Sequence, residues 1–307
     1  MRNRDFLTLE GTSREELREI LDLAHDVADG RLSNPLAGKT VCLAFFESST
    51  RTAASFELAA RRSGADVISL SESGSAIAKG ESLVDTVVTL DSLGADAIVL
   101  RHPAAGAAKL ASGYTNAALV NAGDGCGQHP TQALLDLYAL SQSFDGFEDL
   151  AGRRVVIVGD VLHSRVARSV IPALQNAGME VALSAPRTLL PIKTDAWELP
   201  VLPSVDAALE WGAEVLYMLR LQNERMIGDS PRIPSIAEYG AYYGVARRHL
   251  RRGVRVMHPG PVNRGVEISG DVVLDEASLI PNQVAAGVAV RSAVLTLAMG
   301  VAHEVAA

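Results

Sequence analysis

Between an apolar run ending at Phe46 and an amphipathic run starting near Ala53 stands the stretch SSTRT, which places Ser48, Ser49, Thr50, Arg51 and Thr52 at a strand-to-helix junction. A helix start leaves backbone N–H groups unpaired and points a positive dipole end outward, so it can receive an anion. Ser49 and Thr50 add hydroxyl donors, and Arg51 adds a planar fork that matches two phosphate oxygens. Read locally, the stretch is either such an anion site or a plain Ser/Thr cap beside a surface arginine. Comparable groups follow other apolar runs: Arg101-His102-Pro103, GDGCGQHPTQ with His129 and Gln132, Asp160 followed by HSR with Arg165, Arg220 and Gln222, and HPGPVNRG from His258. One arginine at a strand end is ordinarily a solvated group. Their concentration at one kind of position argues for ligand binding, because open α/β sheets bind at the carboxyl ends of their strands.

His129 precedes a helix start, with Gln132 a turn away and a glycine-rich approach that would let a ligand reach backbone. It reads either as a turn residue or as a donor that polarises a carbonyl. The loop SGSAIAKGES (73–82) carries Lys79 as its cation; it is an ordinary surface loop or one that closes over an anion and excludes water. No histidine spacing suits a metal, and no cofactor is expected. A nucleotide P-loop is excluded for want of G-x-x-x-x-G-K-[ST], and RRVVIVGDVLHS lacks the second and third glycines of a dinucleotide fingerprint.

These groups need elements to carry them. Eight short runs read as strands: 40–46, 66–70, 96–100, 118–122, 154–159, 181–185, 214–219 and 254–258. They are rich in β-branched residues and do not alternate strictly, which predicts strands buried on both faces of parallel sheets, with helices between most of them. The 307 residues suit two such α/β domains, each a mainly parallel sheet flanked by helices, expected at 1–146 and 147–307. The final helix, from about 283, is free in this reading to pack back on the first domain. Thr12 or Ser13 caps a first helix, with Glu15 and Glu16 near its positive end.

Bulk properties exclude several classes. A formal net charge of −8 argues against a nucleic-acid surface. Two cysteines, Cys42 and Cys126, build neither a disulfide framework nor a four-thiolate site and read as small buried hydrophobes. The N-terminal stretch lacks an apolar secretory core, and residues 284–302 carry Arg291 mid-segment, so a packed helix is expected there and no membrane span. A cytoplasmic location is expected.

Taken in order, STRT with SFE after it, the Ser75–Lys79 loop with KGES, RHP, GDGCGQHPTQALLD, HSR, LRLQNER and HPGPVNRG resemble the aspartate/ornithine carbamoyltransferase family over nearly the whole chain. The ornithine branch usually carries a cysteine near HPGP and lacks the lysine loop; Pro259 and Lys79 favour aspartate here, with ornithine or a related amine as the alternative substrate. A catalytically silent relative is the rival from another class.

The resemblance implies transfer of the carbamoyl group of carbamoyl phosphate to aspartate, a step of pyrimidine synthesis, in two α/β domains with the active site between them. It implies that Ser49, Thr50, Arg51 and Thr52 hold the phosphate, that Thr52, Arg101 and His129 bind the carbamoyl oxygen, and that Gln132 with the backbone around Gly260 and Pro261 holds the carbamoyl nitrogen. Arg165, Arg220 and Gln222 would receive the aspartate carboxylates. Ser75 and Lys79 would reach a neighbouring subunit's site, making a homotrimer with shared sites. A regulatory chain or another pyrimidine enzyme is a further partner the resemblance admits.

Overall fold

The computed structural model describes residues 5–71, 80–191, 197–222, 235–250 and 253–301. The chain divides into two compact units, Met1–Leu135 with Ala285–Ala307, and Asp136–Val284.

The first unit runs α1 (Arg14–Ala28), β1 (Thr40–Phe45), α2 (Thr50–Arg62), β2 (Asp66–Ser71), α3 (Leu83–Ser92), β3 (Ala97–His102), α4 (Ala107–Ser112) and β4 (Ala118–Asp124), and takes in the start of α5 (Pro130–Ser143). Ser13 caps α1 in a reciprocal capping box with Glu16. The sheet is parallel in the order β2-β1-β3-β4. Buried Cys42, Ala44, Ile98, Leu100 and Leu119 from the strands meet Val87 and Leu90 from α3 and Ala108 and Ala111 from α4. Each branched aliphatic buried this way contributes about 1.5–3 kcal/mol. β4 is buried at every position, as its unalternating sequence predicts, whereas β2 is an edge strand that leaves Ile68 exposed.

The second unit continues with β5 (Arg154–Val158), α6 (Arg165–Asn176), β6 (Glu180–Ser184), β7 (Val201–Leu202), α7 (Val205–Glu210), β8 (Val215–Met218), α8 (Ile236–Tyr243), α9 (Arg247–Leu250) and β9 (Arg255–Met257), and includes the start of α10 (Ile280–Ala298). Its sheet is also parallel, in the order β7-β6-β5-β8-β9. The two-residue β7 is the strand that the sequence pattern does not announce.

Beyond residue 284, α10 lies in the first unit. Arg291 is buried there, donating from Nη1 to Ser55 Oγ at 2.6 Å with its guanidinium over the Phe56 ring, and Ser292 bonds Ser63 at 2.6 Å. A side chain at Gly287 would collide with the Arg291 guanidinium. Arg291 thus marks a packed helix, and no described helix is long and apolar enough to cross a membrane.

Candidate active site

Each sheet reverses its direction of winding once, between β1 and β3 in the first unit and between β5 and β8 in the second. Loops leaving the strands on either side of such a point diverge and open a crevice at the carboxyl edge. The predicted residues sit on these strands and their next neighbours.

In the first unit, Ser49 is the N-cap of α2, with extended backbone (φ −160°, ψ 94°) and no side-chain capping bond. Ser13, Ser82, Ser164, Ser204 and Ser235 occupy the same position on other helices, and each accepts a backbone N–H from the first turn. The Ser49 hydroxyl is therefore not spent on its own helix. The first turn of α2 holds no acid and carries Arg51, a cation at the positive dipole end, against the usual preference. Such a local conflict is expected where a ligand supplies the missing anion. Arg51 is exposed, yet partial desolvation lowers its pKa from the ordinary arginine value. Thr52 is buried one residue further on.

Parallel pairing sets Phe45 beside Arg101, so the ends of β1 and β3 are neighbours. Arg101 is mostly buried, donates from Nη1 to the Ala122 carbonyl at 3.3 Å and lies 3.3 Å from the Glu47 carboxylate. Glu47 has no role predicted from sequence; its signal is an acid immediately before SSTRT. His129 and Gln132 follow β4, the next strand, at the start of α5. Both are buried, Pro130 takes the first helical position where no N–H is needed, and the His129 carbonyl accepts the Gln132 amide at 3.0 Å.

Two glycines of GDGCG make room for the protein's own chain. A Cβ on Gly125 would stand 2.5 Å from the Ala105 nitrogen and 2.6 Å from the Pro103 oxygen, and one on Gly127 would stand 2.6 Å from Asp124 Oδ1. Close protein backbone requires glycine there. Buried Asp124 ties the loop together by accepting from Gly106, Gln128 and Asn121. His102 holds the adjoining turn, its Nδ1 accepting from Ala104, and burial pulls its pKa down against the nearby Asp124 and Glu47 charges.

In the second unit, Ser164 caps α6 through the Ala167 amide, and buried Arg165 is its first residue, in a first turn free of acids. This repeats the pattern of Arg51. Arg220 and Gln222 follow β8, and two buried carboxylates hold their backbone. Asp160 accepts the Gln222 and His163 amides and contacts His163 Nδ1 at 2.8 Å. Glu267 accepts the Leu221 amide at 3.0 Å and both nitrogens of Asn263. Burial pushes the Glu267 carboxyl upward in spite of those donors, and burial, then Glu267 and Asp160, pushes up the Tyr239 phenol. Gly159 stands where a Cβ would lie 2.8 Å from both the Leu219 oxygen and Tyr239 Oη. Gly260 and Pro261 follow β9, in a turn where the Gly260 amide donates to His258 Nδ1 at 2.7 Å.

Thus Ser49–Thr52, Arg101, His129 and Gln132 stand on three adjacent strand ends of one sheet, and Arg165, Arg220, Gln222, Gly260 and Pro261 on three of the other. Ser75 and Lys79 lie outside the described residues. Local patterns gave no sign of Asp160 or Glu267 as braces, since a lone acid near a strand end is usually solvated.

Two parallel α/β units, each with an arginine in an acid-free first helical turn beside a switch point, define a two-domain α/β protein of the open-sheet class. More narrowly, the chain belongs to the aspartate/ornithine carbamoyltransferase family: residues 4–142 match its carbamoyl-P binding domain and residues 151–298 its Asp/Orn binding domain. The aspartate carbamoyltransferase catalytic subunit of Rubrobacter xylanophilus is 77% identical over 99% of both chains. That of Kineococcus radiotolerans is 48% identical over 96% of both. Among solved structures, aspartate transcarbamoylase from Trypanosoma cruzi in complex with carbamoyl aspartate and phosphate superposes with a TM-score of 0.83 at 28% identity, covering 96% of this chain and 95% of that one. The catalytic subunit of the M. jannaschii enzyme gives 0.81 at 34% identity over 98% of both chains.

Proposed function

We infer that this chain transfers the carbamoyl group of carbamoyl phosphate to the amine of L-aspartate, giving N-carbamoyl-L-aspartate and phosphate for pyrimidine synthesis. The observation that carries this reading is the start of α2, where an unspent Ser49 hydroxyl and an acid-free turn surround Arg51. The 77% identical relative, an aspartate carbamoyltransferase catalytic subunit, supports aspartate over ornithine.

Ser49, Thr50, Arg51 and Thr52 hold the phosphate in this proposal. Thr52, Arg101 and His129 donate to the carbamoyl oxygen, and Gln132 with the Gly260–Pro261 backbone takes the carbamoyl nitrogen. Arg165, Arg220 and Gln222 receive the aspartate carboxylates. The amine lone pair attacks the carbonyl carbon, and charge builds on the carbonyl oxygen. Fixed donors at that oxygen lower the barrier, each worth about 10²–10³ in rate where measured in other enzymes. The C–O bond to phosphate then breaks, and the phosphate leaves as an anion that can accept the amine proton. No covalent nucleophile is required; positioning of two anionic substrates supplies much of the acceleration. Ser75 and Lys79 complete a neighbouring chain's site, so the working unit is a homotrimer, in the cytoplasm.

The test supplies carbamoyl phosphate with either aspartate or ornithine and scores the carbamoylated amino acid. Carbamoyl aspartate is the expected product. Product from ornithine alone would overturn the substrate assignment, and no product from either would overturn the enzyme reading.

A further inference from the structure

The turn proposed to hold the carbamoyl nitrogen is anchored by a polar network in the core of the second unit. Gln283, on the first turns of α10, is buried, and its Oε1 accepts the His258 amide at 3.0 Å. Its Nε2 donates to Asp136 Oδ1 at 2.7 Å, and the other carboxylate oxygen of Asp136 accepts from Tyr217 Oη at 2.6 Å. Asp136 and Tyr217 are both fully buried. One hydrogen assignment fits all three bonds. A backbone N–H can only donate, so the amide oxygen of Gln283 must face His258 and its NH₂ must face an acceptor; an ionised carboxylate accepts from both Gln283 and Tyr217.

Two residues downstream the same turn continues inward, with His258 Nδ1 accepting the Gly260 amide. Gln283 and His258 thus engage the amides of His258 and Gly260. An apolar trio of equal volume would spare the desolvation of a buried carboxylate but would leave the buried His258 amide without its acceptor. What the polar trio adds is direction, because it fixes the height and rotation of one backbone amide.

We propose that Asp136, Tyr217 and Gln283 are positioning residues that set the His258–Pro261 turn to receive the carbamoyl nitrogen. The proposal rests on the function inferred above, and deepens it by assigning discrimination between carbamoyl phosphate and bare phosphate to this network. Phosphate lacks the NH₂ group, so the network should not affect its binding.

The experiment measures calorimetric affinities of carbamoyl phosphate and of inorganic phosphate for the full-length protein and for Asp136→Asn, Gln283→Glu and the double variant. Asp136→Asn removes one of two acceptor oxygens, and Gln283→Glu sets two carboxylates against each other. The double variant exchanges donor and acceptor. Its side-chain amide at position 136 accepts from Tyr217 through the oxygen and donates through the NH₂ to the new carboxylate at position 283. The second oxygen of that carboxylate accepts from His258. Each single variant is expected to lose about tenfold in carbamoyl phosphate affinity, the scale of one disrupted buried hydrogen bond, while phosphate affinity stays within about twofold of the parent by the same reckoning. The double variant is expected to recover most of the loss. Equal loss for both ligands, no loss in the singles, or a folded double variant that binds phosphate but is not restored toward carbamoyl phosphate would each overturn the proposal. The double variant restores all three hydrogen bonds, so it decides the matter if the singles fail to fold. If the unaltered protein does not bind carbamoyl phosphate more tightly than phosphate, the functional reading itself falls; unselective variants of an active parent refute the positioning role alone.

Discussion

Ser13 and Ser49 are the same residue type at the same helical position, and they are predicted to behave oppositely. The Ser13 hydroxyl accepts the Glu16 amide and closes a capping box, whereas Ser49 makes no capping bond. Ser13→Ala should cost about 1 kcal/mol of stability, visible as a lower midpoint in denaturant, and leave the kinetics alone. Ser49→Ala should leave the midpoint in place and weaken phosphate binding. A stability loss at Ser49 equal to that at Ser13 would mean that its hydroxyl serves the helix after all. At this scale the sequence was informative about cations and poor on their braces. Arg51, Arg101, Arg165 and Arg220 stood out by their positions after apolar runs. Asp160 stands out in the same way but not as a brace, and Glu47, Asp124 and Glu267 do not stand out, because an acid declares itself as a brace only once the amides it accepts are known, and these come from residues 18 or 46 positions away for Asp124 and Glu267.

At the scale of elements, Asp91 lies in the last turn of α3 and gathers the segment that leads into β4. Its carboxylate accepts from the Thr115 hydroxyl at 2.7 Å, the Asn116 amide at 2.8 Å and the Ala117 amide at 3.0 Å. Burial alone would raise its pKa, but the bonds from Thr115, Asn116 and Ala117 outweigh it and lower the value. A depressed carboxyl pKa stabilises the fold above the unfolded-state value and loses that contribution as pH falls through the folded-state value. Asp91→Asn should therefore lower the melting temperature at pH 7, by an amount equivalent to about 1–2 kcal/mol, and the difference from the parent should shrink in acid. A difference that persists unchanged to low pH would show that the charge is not what matters. The elements themselves were largely legible. Unalternating β-branched runs predicted eight strands and parallel pairing, and both sheets are parallel. β7 escaped because two residues carry no period, and the exposure of β2 escaped because an edge position is set by neighbours, not by the strand's own composition.

For the whole molecule, the proposed homotrimer with shared sites makes a sharp prediction. Chains carrying Arg51→Ala and chains carrying Lys79→Ala should each be nearly inactive alone. After mixing and reassembly, some sites would draw an intact Arg51 from one chain and an intact Lys79 from another, so activity should return in assays of carbamoyl aspartate formation. A mixture as inactive as its parents would refute the sharing of sites between subunits.

What the sequence determined by itself is the chemistry on offer: which strand ends carry hydroxyls, arginines, a histidine and an amide, and the two α/β units that bear them. Those features are local, fixed by hydrophobic periodicity and by residue type. The tertiary structure decided which of them become neighbours and what holds them. Strand order puts β1 beside β3 and β5 beside β8, though other segments intervene in the chain. It also decided that Gly125 and Gly127 make room for the protein's own chain, and that Gln283 and Asp136, 147 positions apart, share one hydrogen bond beneath the HPGP turn. Such pairings depend on long-range packing, and a linear pattern carries no record of which distant amide a buried carboxylate will meet.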